Sequence, residues 1–91
     1  MQIYCKRYIV VGHVQGVGYR AALVRQALQL AVKGWVRNLP NGSVEVLACA
    51  NLEQQQLLLA WLWQGPALAA VSDIEIFDMR EQPEFFDFVQ R

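Results

Sequence analysis

The chain has 91 residues, 55% of them in the hydrophobic set and 18% charged, with a formal net charge of zero. That size points to a single domain spanning residues 1–91, and the apolar content excludes intrinsic disorder. No apolar run approaches ~18 residues, so no membrane span is expected, and zero net charge argues against holding nucleic acid by bulk electrostatics.

The zero conceals an asymmetry. Residues 1–44 carry Lys6, Arg7, Arg20, Arg25, Lys33 and Arg37 with no acidic group, whereas residues 45–91 carry every carboxylate and only Arg80 and Arg91 as bases. Such a division is a reason to look for an anion site in the first half. The simpler reading is that basic and acidic strands neutralise each other once folded.

In chain order, residues 3–12 (IYCKRYIVVG) are rich in Ile, Val and Tyr and read as a strand. Residues 13–19 (HVQGVGY) form a loop with two glycines. Residues 20–31 place Leu23, Ala27, Leu30 and Val24, Leu28, Ala31 on one apolar helical stripe, with Arg25, Gln26 and Gln29 opposite. Gly34–Asn38 is the next strand, and Leu39–Gly42 is a tight turn with Pro40 suited to its second position. Ser43–Ala50 is the return strand. Asn51 reads as an N-cap with Gln54 three residues on, opening a helix through Leu57, Leu58, Trp61 and Leu62 that Gly65-Pro66 closes. Residues 71–78 alternate as a strand, and Phe85, Phe86, Phe88 and Val89 suggest a short terminal one.

The order β-α-β-β-α-β with a last short strand predicts an α+β, ferredoxin-like split β-α-β sandwich. Two helices would pack on one face of a largely antiparallel sheet of four or five strands. Fold alone does not assign function, because this architecture hosts RNA binders, regulatory modules and enzymes.

Two local patterns are set aside. Gly16-Val17-Gly18-Tyr19-Arg20-Ala21 matches GxGxxA, the dinucleotide fingerprint, but the chain is too short for the parallel βαβ units that fold needs. The acidic ribose partner is also missing, since Glu45 is the first carboxylate. Cys5 and Cys49 are too distant for CxxC, and His13, the single histidine, cannot complete a zinc site with them, so no metal or cofactor is expected. Lys6 and Arg7 interrupt the first apolar residues and no cleavage pattern follows, which predicts a cytoplasmic protein.

The physics behind the glycine fingerprint survives its rejection. Glycines in a strand-to-helix loop let successive N–H groups turn toward one point, and the following helix N-terminus aims its unsatisfied N–H groups the same way. Arg20 at the exit can grip two oxygens of a tetrahedral anion. The competing reading is a tight connection with Arg20 in solvent.

Val11-Gly12-His13-Val14-Gln15-Gly16-Val17-Gly18-Tyr19-Arg20 resembles the first acylphosphatase signature. Gly34-Trp35-Val36-Arg37-Asn38, followed by Asn41-Gly42-Ser43-Val44-Glu45, resembles the second. The resemblance covers nearly the entire chain. It implies hydrolysis of the carboxyl-phosphate bond of a small acyl phosphate to carboxylate and inorganic phosphate, without metal, cofactor or covalent intermediate. Carried over, the backbone N–H groups of Gln15, Gly16, Val17, Gly18, Tyr19 and Arg20 would cradle the phosphate. The Arg20 guanidinium would bind its oxygens, and Asn38 would orient the attacking water. In a split βαβ the first two strands run parallel, which puts the cradle and Asn38 at the same sheet end.

The remaining notable residues get structural readings. His13 reads as a solvent-facing loop residue, Tyr19 as packing beneath the cradle, Trp61 as core, and Arg37 as charge on the face opposite Asn38. Cys5 and Cys49 begin one strand and end its expected antiparallel neighbour, so a cross-strand disulfide is within geometric reach. A cytoplasmic compartment argues against it, and the resembled family does not require one. A monomer without nucleic-acid or membrane partners is expected. The rival functions are a phosphate-sensing module with little turnover, and an RNA-binding domain with salt-dependent affinity.

Overall fold

The structure, a computed structural model, describes residues 2–91. Its elements are β1 (Tyr4–His13), α1 (Tyr19–Gln29), β2 (Lys33–Asn38), β3 (Val44–Ala50), α2 (Leu52–Gln64), β4 (Ala70–Asp78) and β5 (Phe88–Gln90). The five strands form one sheet in the order β4-β1-β3-β2-β5. β3 is antiparallel to both β1 and β2, which therefore run parallel to each other, and only the β2–β5 pair is parallel between neighbours. This is the expected split arrangement, with the ends of β1 and β2 on the same side.

Register decides which side chains meet the helices. Tyr8 pairs with Val46 and Val10 with Val44, and Val36 pairs with Val46, so these residues share a face. The Tyr8 hydroxyl donates to Gln55 Oε1 of α2 at 2.7 Å, which identifies that face as the helix side. Gln55 also donates to the carbonyls of Tyr4 and Ala48, tying α2 to β1 and β3. Leu23, Leu58 and Leu62 from the helices fill the layer against Val10, Val36 and Val44. Burial of such side chains contributes about 1.5–3 kcal/mol each.

Both helix ends have identifiable causes. Asn51 caps α2 in a reciprocal box: the Gln54 N–H donates to Asn51 Oδ1 and the Asn51 N–H to Gln54 Oε1. α1 stops earlier than the apolar stripe suggests. Ala31 takes φ 58°, the Ala31 N–H donates to Leu28 O, and the Val32 N–H donates to Ala27 O, a left-handed C-terminal cap. Glycine is the usual signal for that cap, and alanine in its place conceals it. The stripe is also narrower than its spacing implies: Leu23 and Ala27 are buried, but Leu28 is about half exposed, as is Leu57 of α2. The terminal strand begins at Phe88, because pairing with β2 starts at Gly34↔Phe88; Phe86 lies outside it and is exposed.

The helix-free face carries an ion-pair cluster. Glu45, 4% exposed, accepts hydrogen bonds from Arg7 Nε on one carboxylate oxygen and Arg37 Nε on the other. The guanidinium of Arg37 also lies over the Trp35 ring, and that of Arg7 over Phe77. Burial raises the Glu45 carboxyl, but the hydrogen bonds and charges of both arginines outweigh it and hold the group below its ordinary value of 4.5. A depressed folded-state value means stability that is present above the unfolded value and lost as pH falls through the folded one. Urea unfolding is thus expected to show the native chain weakening below about pH 4.5, and Glu45→Gln weakening less over the same window. Equal acid sensitivity of the two proteins would remove Glu45 as the cause.

On the same face, Cys5 and Cys49 are register partners with Cα atoms 4.1 Å apart, and their sulfurs are bonded. The bond closes a loop with a sequence separation of 44, which the chain-entropy account values at about 4 kcal/mol. It lies toward the start of β1, away from the loop that follows His13.

Candidate active site

The loop between β1 and α1 is built around backbone geometry that favours glycine. Gly16 (φ 73°) and Gly18 (φ 79°) both occupy the left-handed region, where a Cβ is disfavoured. Neither would meet another atom within 4 Å if it carried one, so conformation rather than space sets the requirement. Among the described residues, the backbone N–H groups of Gln15, Gly16, Val17 and Gly18 donate to nothing in the chain. α1 begins without a side-chain cap, and its first backbone bond runs from Ala22 N–H to Gly18 O at 3.1 Å. The N–H groups of Tyr19, Arg20 and Ala21 in the first turn therefore add to the unsatisfied donors, at the positive end of the helix.

A cavity of about 120 Å³ lies at this loop, walled by Val14, Gly16, Gly18, Tyr19, Arg20 and Gln90. Its volume is several times the ~10–15 Å³ that a single water requires. Val17 instead packs against the core. Arg20 is half-buried and, among the described residues, forms neither an ion pair nor a side-chain hydrogen bond. Its charge has no carboxylate to neutralise it, although Arg7 and Arg37 both do.

Tyr19 sits beneath the loop with 1% exposure. Its hydroxyl donates to Leu62 O at 2.8 Å, and its ring packs on Trp61 with centroids 5.6 Å apart. Burial pushes its phenol pKa up, so Tyr19 serves as a neutral anchor between loop and α2. His13 is exposed at the end of β1.

Asn38 ends β2 opposite Val44, on the helix side, while Arg37 faces the other way toward Glu45. The Asn38 Oδ1 atom is buried and, among the described residues, accepts no hydrogen bond. Leaving such an acceptor unpaired costs about 1–3 kcal/mol, so a group that donates to it is strongly favoured. Asn38 is not in the wall of the loop cavity. What joins the two is the Gln15 side chain, a link that sequence reading missed by treating Gln15 only as a backbone donor.

A larger cavity of about 530 Å³ opens at the other end of the sheet, beside Ile3, Cys5, Lys33, Cys49 and Pro83. Its sulfurs are bonded to each other, and neither the β1–α1 loop, Arg20 nor Asn38 lines it.

The strand order and the two helices on one face define a ferredoxin-like α+β protein. The acylphosphatase family profile matches residues 6–90. An acylphosphatase of Nitrosococcus oceani is 45% identical over 89 residues, covering 98% of this chain and 99% of that protein. Among solved structures, an acylphosphatase from Coxiella burnetii aligns with a TM-score of 0.92 at 37% identity, over 98% of this chain and 93% of that one. The acylphosphatase from Bacillus subtilis gives a TM-score of 0.93 at 31% identity, over 97% and 98% of the two chains. The chain belongs to the acylphosphatase family, enzymes that hydrolyse acyl phosphates.

Proposed function

We propose that this chain hydrolyses small acyl phosphates without a metal ion, holding the phosphoryl group on the Gln15–Arg20 loop and the attacking water on Asn38. The observation that carries the reading is the buried, unpartnered Oδ1 of Asn38. The row of free N–H groups at Gly16 and Gly18 and the unpaired Arg20 support the anion half of it.

Phosphoryl transfer through a loose transition state asks for positioning and charge stabilisation more than for covalent chemistry. The loop N–H groups and the α1 N-terminus receive the charge on the phosphoryl oxygens, and the planar fork of Arg20 spans two of them. The water donates one hydrogen to Asn38 Oδ1, which leaves an oxygen lone pair for in-line attack. As the O–P bond to water forms, the bond from phosphorus to the acyl oxygen breaks and the carboxylate departs with the electron pair. Carboxylates are stable anions, with model values near ~4, so no general acid is required. An uncharged amide cannot take the water's proton, which passes to a phosphoryl oxygen of the substrate.

The proposal covers a monomer that binds neither nucleic acid nor membrane; a cytoplasmic location would require the Cys5–Cys49 bond to persist in a reducing compartment. No helix among the described residues is long and apolar enough to cross a bilayer, and none of their His, Cys, Asp and Glu side chains cluster to hold a metal. Phosphate release from benzoyl phosphate is the direct test. The expected rate is the same with and without excess chelator; loss of turnover on chelation would overturn the metal-independent mechanism.

A further inference from the structure

We infer that Gln15 is a positioning residue: its side-chain carboxamide locks the phosphate loop to the turn that carries Asn38, and so sets the distance between phosphoryl group and water. The inference rests on the proposed roles of the loop and Asn38 and adds a third side chain to them. Gln15 Nε2 donates to Leu39 O at 2.8 Å and to Ser43 O at 2.9 Å. Both its hydrogens are thereby engaged, and the carboxamide cannot also donate to a phosphate.

The two acceptors are informative in their placement. Leu39 directly follows Asn38, and Ser43 directly precedes Val44, the register partner of Asn38. Leu39 N–H also donates to Ser43 O at 2.9 Å, and Gly42 N–H to Leu39 O at 3.1 Å, so Gln15 closes onto the hydrogen-bonded mouth of the hairpin. Ser43 is 5% exposed and held further by its N–H bond to Asn41 Oδ1. The turn is thus rigid where Gln15 grips it. Among the described residues, no other hydrogen bond joins the 14–18 loop to the 38–43 segment. The sheet ties the bases of the two segments, since Val10 and Asn38 both pair with Val44, and beyond His13 the loop is hydrogen-bonded to the turn through Gln15. Reacting groups held on two separate segments lose rate steeply when their spacing drifts, with ~10²-fold for a 1 Å misplacement.

The test is a double-mutant comparison with benzoyl phosphate as substrate and inorganic phosphate as inhibitor. Gln15→Met keeps length and loses both donors; Gln15→Asn keeps the carboxamide one methylene short and serves if the first variant does not fold. Each is expected to lower kcat by about 10-fold while the phosphate inhibition constant changes less than about 3-fold, because the cradle N–H groups are backbone. In an Asn38→Ala background the same change is expected to cost under about 2-fold, since the water it positions is already unheld. An unchanged kcat in Gln15→Met, or an equal loss in both backgrounds, overturns the positioning role. Loss of activity in Asn38→Ala with full kcat in Gln15→Met leaves the proposed site standing and removes Gln15 alone. Ordinary activity in Asn38→Ala overturns the site reading, and Gln15 falls with it.

Discussion

Arg20→Ala is expected to lower kcat/KM for benzoyl phosphate by at least ~10²-fold, a loss of about 2.7 kcal/mol in transition-state stabilisation. Arg20 is the one arginine in the first turn of α1, beside the glycine loop, and it has no carboxylate partner among the described residues. Its positive charge is therefore available to the phosphoryl oxygens. The same isolation means that little folding energy is at stake. Arg20 is half-buried and makes no ion pair among the described residues, so the unfolding free energy is expected to change within about ±0.5 kcal/mol, as for ordinary surface substitutions. Inhibition by inorganic phosphate should weaken at least about 10-fold, since ground state and transition state both carry the charge Arg20 meets. Arg20→Lys retains the charge but not the planar fork, and recovers only part of the rate. A folded Arg20→Ala variant with near-native kcat/KM would take Arg20 out of the site.

Much of this site is readable along the chain because its parts are local. The glycines at 16 and 18, the arginine two residues later and the turn around Pro40 each act within a few residues of themselves. Strand alternation separates Asn38 from Arg37 without any tertiary information, and the capping box at Asn51 and Gln54 is likewise a short-range pattern. What escapes the sequence depends on pairing across tens of residues. Gln15 reaches acceptors 24 and 28 positions away, and nothing local tells its carboxamide to choose carbonyls over a phosphate. Glu45 gathers Arg7 from one neighbouring strand and Arg37 from the other, so Arg37, exposed as its reading as surface charge expects, also partners a buried carboxylate. Cys5 and Cys49 meet because one register among several aligns them, and composition alone cannot select that register. The uneven charge of the two halves resolves in the same way: β3 and β4, from the acidic half, flank β1 on either side.

Asn38→Ala tests the proposed division of labour between water and cradle. The expected result is a kcat at least ~10²-fold lower, with the phosphate inhibition constant changed less than about 3-fold. The split follows from position: Asn38 ends β2, outside the wall of the cavity that Arg20 and the loop form, so removing its carboxamide leaves the anion contacts in place. Stability supplies a second, independent sign. Truncation of a polar side chain with a buried oxygen ordinarily destabilises by breaking hydrogen bonds, but among the described residues Asn38 Oδ1 has none to break. The water proposed to sit on that oxygen returns to solvent when the carboxamide is removed, so the cost is the packing lost from a small, half-buried side chain. The variant is therefore expected to unfold at a urea concentration close to that of the native chain. An enzyme that becomes slower without becoming weaker has lost a group kept for reaction. A marked fall in stability with unchanged turnover would assign Asn38 to the fold instead.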